Sequence, residues 1–218
     1  MALNFIATTL FPQTTSTFMP SEDEKQWYAD ELIKQRRSVF PRNYDPTRKV
    51  PKEVIQKMLE SANWAPTHKR TEPWRFVVFS TPEAIQRLAQ FEADLYRKLT
   101  PEHKYSQRKY DKKLKVDAGV SCVIAICMKR QASEKLPEVE EVCAVACAVQ
   151  NLHLSATGHG VGGYWRSGDR IFSDEMKQFL GLGEKDKCLG HFYVGYPMPG
   201  YVARGSRGSI EDKVVWIE

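Results

Sequence analysis

Residues 65–76, Ala-Pro-Thr-His-Lys-Arg-Thr-Glu-Pro-Trp-Arg-Phe, hold a histidine, three basic residues, two prolines and two aromatics between a helix-like and a strand-like segment. A connection so loaded reads as a binding loop, because loops carried on a rigid scaffold are where function concentrates. His68 can exchange a proton or donate from its ring edge, although a loop histidine is equally a solvated one. Trp64, at the end of the preceding helix-like segment, can cover a flat ligand; tryptophan is also an ordinary core residue.

Three further groups have chemistry to offer. Arg36-Arg37-Ser38 sets two guanidinium forks and a hydroxyl at a helix exit. That combination suits a phosphate, which Arg grips with paired hydrogen bonds. Two exposed arginines favoured by the helix dipole would look the same. Gly162-Gly163-Tyr164-Trp165-Arg166-Ser167-Gly168 combines close backbone approach with an indole face and a charge, or is a glycine-punctuated strand and turn. Residues 204–209, Arg-Gly-Ser-Arg-Gly-Ser, are basic and pliant, fit for an anion or for water.

A basic run, Lys104, Arg108, Lys109, Lys112, Lys113 and Lys115, reads most simply as a solvated helix face. Tyr105 and Tyr110 interleave it, which leaves a nucleic-acid surface as a minor alternative. Cys143 and Cys147 lie at i and i+4 and read as core, since no companion ligands complete a metal set. No serine sits in a GxSxG elbow. No GxGxxG follows a strand, so a Rossmann dinucleotide site is not expected.

The elements that must position these residues follow from periodicity. A helix over 22–35 opens on the capping-box pattern Ser-Glu-Asp-Glu and delivers the chain to Arg36. Pro51 opens a second helix, with Val54, Ile55, Met58, Leu59 and Ala62 on its core face. Residues 74–80 read as a buried strand, and Thr81-Pro82 caps a third helix reaching about Leu99. A polar helix ends near Asp117, 121–128 is the second strand, and 138–157 is a long helix rich in small residues. A short helix over 173–180, a strand over 188–196 and a strand-like end at 214–217 complete the chain. An apolar strand at a free end needs a partner, in this sheet or in a second chain.

At 218 residues, with 42% hydrophobic and 27% charged residues, the chain has the make-up of an ordinary globular protein able to fold without staples. No apolar run approaches a membrane span. The net charge of +5 fits an anionic ligand and is too small to argue for nucleic acid. Five cysteines without a CxxC pair read as free thiols in a reducing, cytoplasmic setting. Residues 1–20 read as a flexible tail without a secretory signal, an organelle address remaining open, and 21–218 as the folded unit.

Taken in order, Arg36-Arg37-Ser38, Ala65-Pro66-Thr67-His68 with Pro73-Trp74-Arg75-Phe76, Gly163-Tyr164-Trp165-Arg166-Ser167-Gly168, Val194-Gly195-Tyr196-Pro197 and Arg207 resemble the nitroreductase family of FMN-dependent oxidoreductases, in its compact bacterial branch. The resemblance runs from about Leu32 to the end of the chain. It implies an α+β fold: a three-layer α/β/α arrangement with a mixed central sheet, its C-terminal segment exchanged across a homodimer. It also implies FMN at the dimer interface. Arg36, Arg37, Ser38 and Arg207 would hold the phosphate side, Trp165, Arg166 and Ser167 would lie beside the ring, and Trp64 and His68 would come from the partner chain. NADH or NADPH would reduce the flavin and a nitroaromatic, quinone or other acceptor would reoxidise it, in ping-pong order. The flavin then carries the chemistry and no catalytic side chain is required.

Two departures stand out. Phe40 occupies the slot, two residues after the serine, where many members carry Lys or Arg. Arg70-Thr71-Glu72-Pro73-Trp74 replaces the common Asn-x-Gln-Pro-Trp. Both motivate an alternative: a flavin-binding carrier or redox sensor of low turnover.

Overall fold

A computed structural model describes residues 22–218, with side chains from residue 28 onward. The tail expected over 1–20, and the Ser21 cap, lie outside the described residues. The elements run α1 (Glu22–Gln35), α2 (Lys52–Asn63), β1 (Trp74–Phe79), α3 (Pro82–Leu99), α4 (Gln107–Leu114), β2 (Cys122–Met128), α5 (Glu138–Gly158), β3 (Gly162–Arg166), α6 (Asp174–Phe179) and β4 (Lys187–Gly195). The expected helices and internal strands are all present. Thr81 caps α3 by accepting from the Ala84 N–H at 3.2 Å, and Ser173 does the same for α6 with Met176.

The strands form one sheet in the order β1-β2-β4-β3, every neighbouring pair antiparallel. The parallel component of the expected mixed sheet is a single bridge between Ser38 and Gly163. Strand β2 lies inside the sheet and all seven of its residues are buried, which is why its sequence is continuously apolar rather than alternating.

Side-chain alternation on β2 divides the core in two. Cys122, Ile124, Ile126 and Met128 face α2 and α5. Val123, Ala125 and Cys127 face α3 and α6. The sheet is thus the middle of three layers. Tyr96 and Tyr110 join α3 to α4 in a smaller cluster on the second side.

Of the two partners open to residues 214–217, this sheet is not the one: they pair with no strand among the described residues, and Val215, Trp216 and Ile217 are 87%, 84% and 95% exposed. One expectation fails. Cys143 and Cys147 are exposed rather than core, because the outer face of α5 turns away from the sheet. All five thiols are free. No helix among the described residues is long and apolar enough to cross a membrane.

Candidate functional site

Helix α1 ends at Gln35, and Arg36, Arg37 and Ser38 run from it onto the edge of the sheet. Ser38 bridges Gly163, and the Val39 N–H donates to the Gly163 carbonyl at 3.0 Å. His153 of α5 fixes the same corner. Its Nε2 lies 3.1 Å from the Arg37 carbonyl, which can only accept, so the ring is protonated at Nε2. Burial, aided by the Arg36 charge, lowers the His153 pKa to about 4, so the ring is neutral at ordinary pH.

Arg207 returns from the C-terminal segment to this corner. Burial, then the charges of Arg207 and Arg37, lower the Arg36 pKa. A Cβ on Gly205 would stand 2.7 Å from Arg37 Nε, so the returning backbone crosses directly over that side chain. Arg36, Arg37 and Arg207 make no ion pair with any described residue. Three guanidiniums gathered without a carboxylate repel one another, and an anion relieves that repulsion.

Strand β3 sends its side chains to opposite faces. Trp165 lies flat across β4: its indole Nε1 donates to the Leu189 carbonyl at 3.2 Å, and a Cβ on Gly190 would come within 2.1 Å of that nitrogen. Gly190 is therefore required by the tryptophan (its φ of 149° also favours glycine). The glycines of β3 serve packing rather than ligand approach. A Cβ on Gly163 would strike the Phe192 ring at 2.3 Å, and one on Gly162 would meet Tyr44 and Val39.

Arg166 points the other way. Its Nη2 donates to both carboxylate oxygens of Glu92 on α3, and His191 Nδ1 bonds the same carboxylate at 2.8 Å. Burial opposes the Glu92 charge, but His191 and Arg166 outweigh it and hold the pKa at about 2. The Arg166 charge is thus neutralised inside the protein. Ser167 follows on the exposed rim.

Trp64 and His68 stand elsewhere. Trp64 follows α2 and is 86% exposed. His68 bonds Glu140 at 2.6 Å, near the start of α5, whereas His153 and Arg37 meet near its end. Thirteen residues of helix at 1.5 Å each separate the two contacts by about 20 Å. One chain therefore does not bring Trp64 and His68 to the arginine corner. The loop that carries them is strained: Lys69, Arg70 and Glu72 have φ of 50°, 55° and 43°, three of the four non-glycine residues with positive φ among those described. Thr67 supports it, its hydroxyl accepting from the Glu72 N–H at 3.1 Å and bonding Thr71 at 2.9 Å. Glu72 is exposed and has no ion-pair partner among the described residues, so neither Lys69 nor Arg70 balances it.

Glu92, His153, His191 and Gly190 were not legible as site residues. The one usable signal was Glu92, which falls on the apolar stripe of α3 with Leu88, Leu95 and Tyr96.

The family model described as the nitroreductase family matches residues 33–196. The chain belongs to the nitroreductase family. It is 29% identical over 167 residues to the Bacillus subtilis protein named "Putative NAD(P)H nitroreductase YfhC", covering 77% of this chain and 83% of that one. It is 30% identical over 145 residues to the similarly named YdjA of Escherichia coli, covering 66% and 76%. A nitroreductase-like protein from Bacillus cereus superposes with a TM-score of 0.69 at 25% identity, over 94% of this chain and all of that one. The Mycobacterium smegmatis NfnB, an FMN-dependent nitroreductase solved with NADPH, shares the fold at TM-score 0.67 and 19% identity, over 89% and 100% of the two chains.

Proposed function

We propose that this protein is an FMN-dependent oxidoreductase that draws on NADH or NADPH and passes the electrons to a nitroaromatic, a quinone or a related acceptor. The observation that carries this reading is the meeting of Arg36, Arg37 and Arg207, unpaired with any described carboxylate, beside Ser38 where it bridges β3. The relatives named NAD(P)H nitroreductases and the FMN-dependent fold neighbour agree with it.

The residues present fit FMN. A doubly charged phosphate matches a cluster of guanidiniums that lacks a counter-ion, and Ser38 adds a hydroxyl. Trp165, held flat by Gly190, and the backbone at 166–168 offer an apolar face and polar edges to a ring system. Arg166 contributes through its backbone, since its side chain is committed to Glu92. The chemistry that bound FMN supplies is two-electron carriage in ping-pong order, hydride in from the nicotinamide and electrons out to the acceptor.

The active form in this reading is a homodimer. Trp64, Val215, Trp216 and Ile217 expose a large apolar area that a single chain leaves to water. The separation along α5 supports the same conclusion, because only a second chain can deliver Trp64 and His68 to the arginine corner. Free thiols throughout support a reducing, cytoplasmic location.

A second reading, a flavin carrier or redox sensor of low turnover, has its own support. Phe40 packs on Tyr164 at 4.6 Å where a cation would otherwise stand, and Glu72 is an unbalanced negative charge. Purified protein should absorb at about 450 nm if it holds flavin. Rapid mixing with NADH or NADPH then separates the readings: bleaching within about a second supports the reductase, and a flavin that keeps its colour supports the carrier.

A further inference from the structure

The basic run forms one wall of a cavity of about 970 Å³ on the α3 side of the sheet. Lys104, Lys109, Lys112, Lys113 and Lys115 line it together with the aromatic residues Phe40, Tyr96, Tyr164 and Tyr193. None of the five lysines makes an ion pair with a described residue. Of the two carboxylates in the lining, Glu92 is held by Arg166 and His191, which leaves Asp117 alone.

Lys104, Lys109, Lys112 and Lys115 are exposed, as on a solvated face, and Lys113 is half-buried. Tyr110 is buried and Tyr105 stacks on Tyr96 with ring centroids 5.5 Å apart, so the interleaved aromatics turn inward and offer no row of free rings to bases. Arg170 reaches the same space with Nε buried and without a hydrogen-bond partner among the described residues. Burial lowers the Lys113 pKa, and Arg166 and Arg170 push it further down against the opposing pull of Glu92. Cations and rings share the lining of one concave space.

We infer that this cavity binds a flat-ringed ligand carrying two or more negative charges. Two sources share that chemistry: the adenosine 2′-phosphate end of NADPH, and an acidic aromatic electron acceptor. Two lining residues, Phe40 and Arg166, stand within two residues of Ser38 and Ser167 in sequence. The role of the ligand therefore rests on the flavoprotein reading, whereas the binding of an anion does not.

Calorimetric titration of the full-length protein tests this with adenosine 2′,5′-bisphosphate, adenosine 5′-monophosphate and benzene-1,3-dicarboxylate as probes. Tighter binding of the bisphosphate than of the monophosphate assigns the cavity to the reductant. Binding of the dicarboxylate alone assigns it to an acceptor. In either case Lys112→Gln/Lys113→Gln should weaken the probe at least about tenfold, through lost charge-assisted contacts. Lys52→Gln, an exposed change outside the cavity, should not. Binding of neither probe, or equal binding by the double variant, overturns the inference. Flavin absorbance of the same sample is read separately. Yellow protein that binds no probe sinks this inference alone, and colourless protein that binds one sinks the flavin reading alone.

Discussion

Arg36 and Arg166 stand on either side of the Ser38–Gly163 bridge, and the same side chain has been put to opposite uses. Arg166 is closed off: Glu92 takes its charge and His191 shares the carboxylate. Arg36 is open: its charged neighbours are Arg37 and Arg207, which only raise its electrostatic energy. A buried ion pair is self-sufficient and holds α3 to β3 and β4. A cluster of like charges is incomplete and makes sense through what it binds. The contrast separates an arginine paired within the fold from one left without a counter-charge where sequence alone lists both as site candidates.

The largest expected effect breaks the closed site. Glu92→Ala leaves the buried His191 and the half-buried Arg166 without their counter-charge and should cost about 3 kcal/mol of unfolding free energy in denaturant titration. Loss under about 1 kcal/mol, the range of an exposed pair, would show that Arg166 is not committed there.

Acid should probe the same carboxylate. The Glu92 pKa is depressed in the folded state from 4.5 to about 2, so its stabilising contribution is complete above pH 4.5 and is lost as pH falls through 2. The fully developed difference is about 3 kcal/mol. Glu92→Gln should flatten that limb of the stability–pH curve, and an unchanged limb would place the acid sensitivity elsewhere.

Breaking the open site should leave the fold alone. Arg36→Ala should weaken FMN by about 1.5–3 kcal/mol, the loss of one charge-assisted contact, with little change in the stability of the flavin-free protein. Equal FMN content after gel filtration would contradict the phosphate assignment. The smallest effect concerns the 65–76 loop. Lys69→Gly should relieve its positive φ and stabilise the protein by about 1 kcal/mol; a destabilisation would mean that the lysine side chain anchors the loop.

Much of this arrangement was legible in the sequence. Helical and strand periods located α2, α3, α5 and β2, because burial on one face or both writes itself directly into residue type. The ordered motifs located the arginine corner. Glu92 and His191 escaped because periodicity identifies a buried face but not which residues meet across a sheet. Gly190 escaped because the cause of a glycine in a strand is the ring beside it, and that ring belongs to β3, over twenty residues earlier. The stretch at 214–217 has the composition of a strand, yet a strand exists only where another offers its backbone, and among the described residues none does.

Helix α5 also sets a rule for how such a chain can change length. It carries the His68–Glu140 contact at one end and the His153–Arg37 contact at the other. One inserted residue would swing one end about 100° relative to the other and unseat a face packed on the sheet along its whole length. Even a whole extra turn would restore the facing but move the two ends apart by about 5.4 Å. Insertions and deletions should therefore gather in the excursion between α3 and β2, where α4 packs on α3 and lies outside the span that α5 sets. Diversification of what the protein binds is then free to proceed without disturbing the spacing on which the rest of the molecule depends.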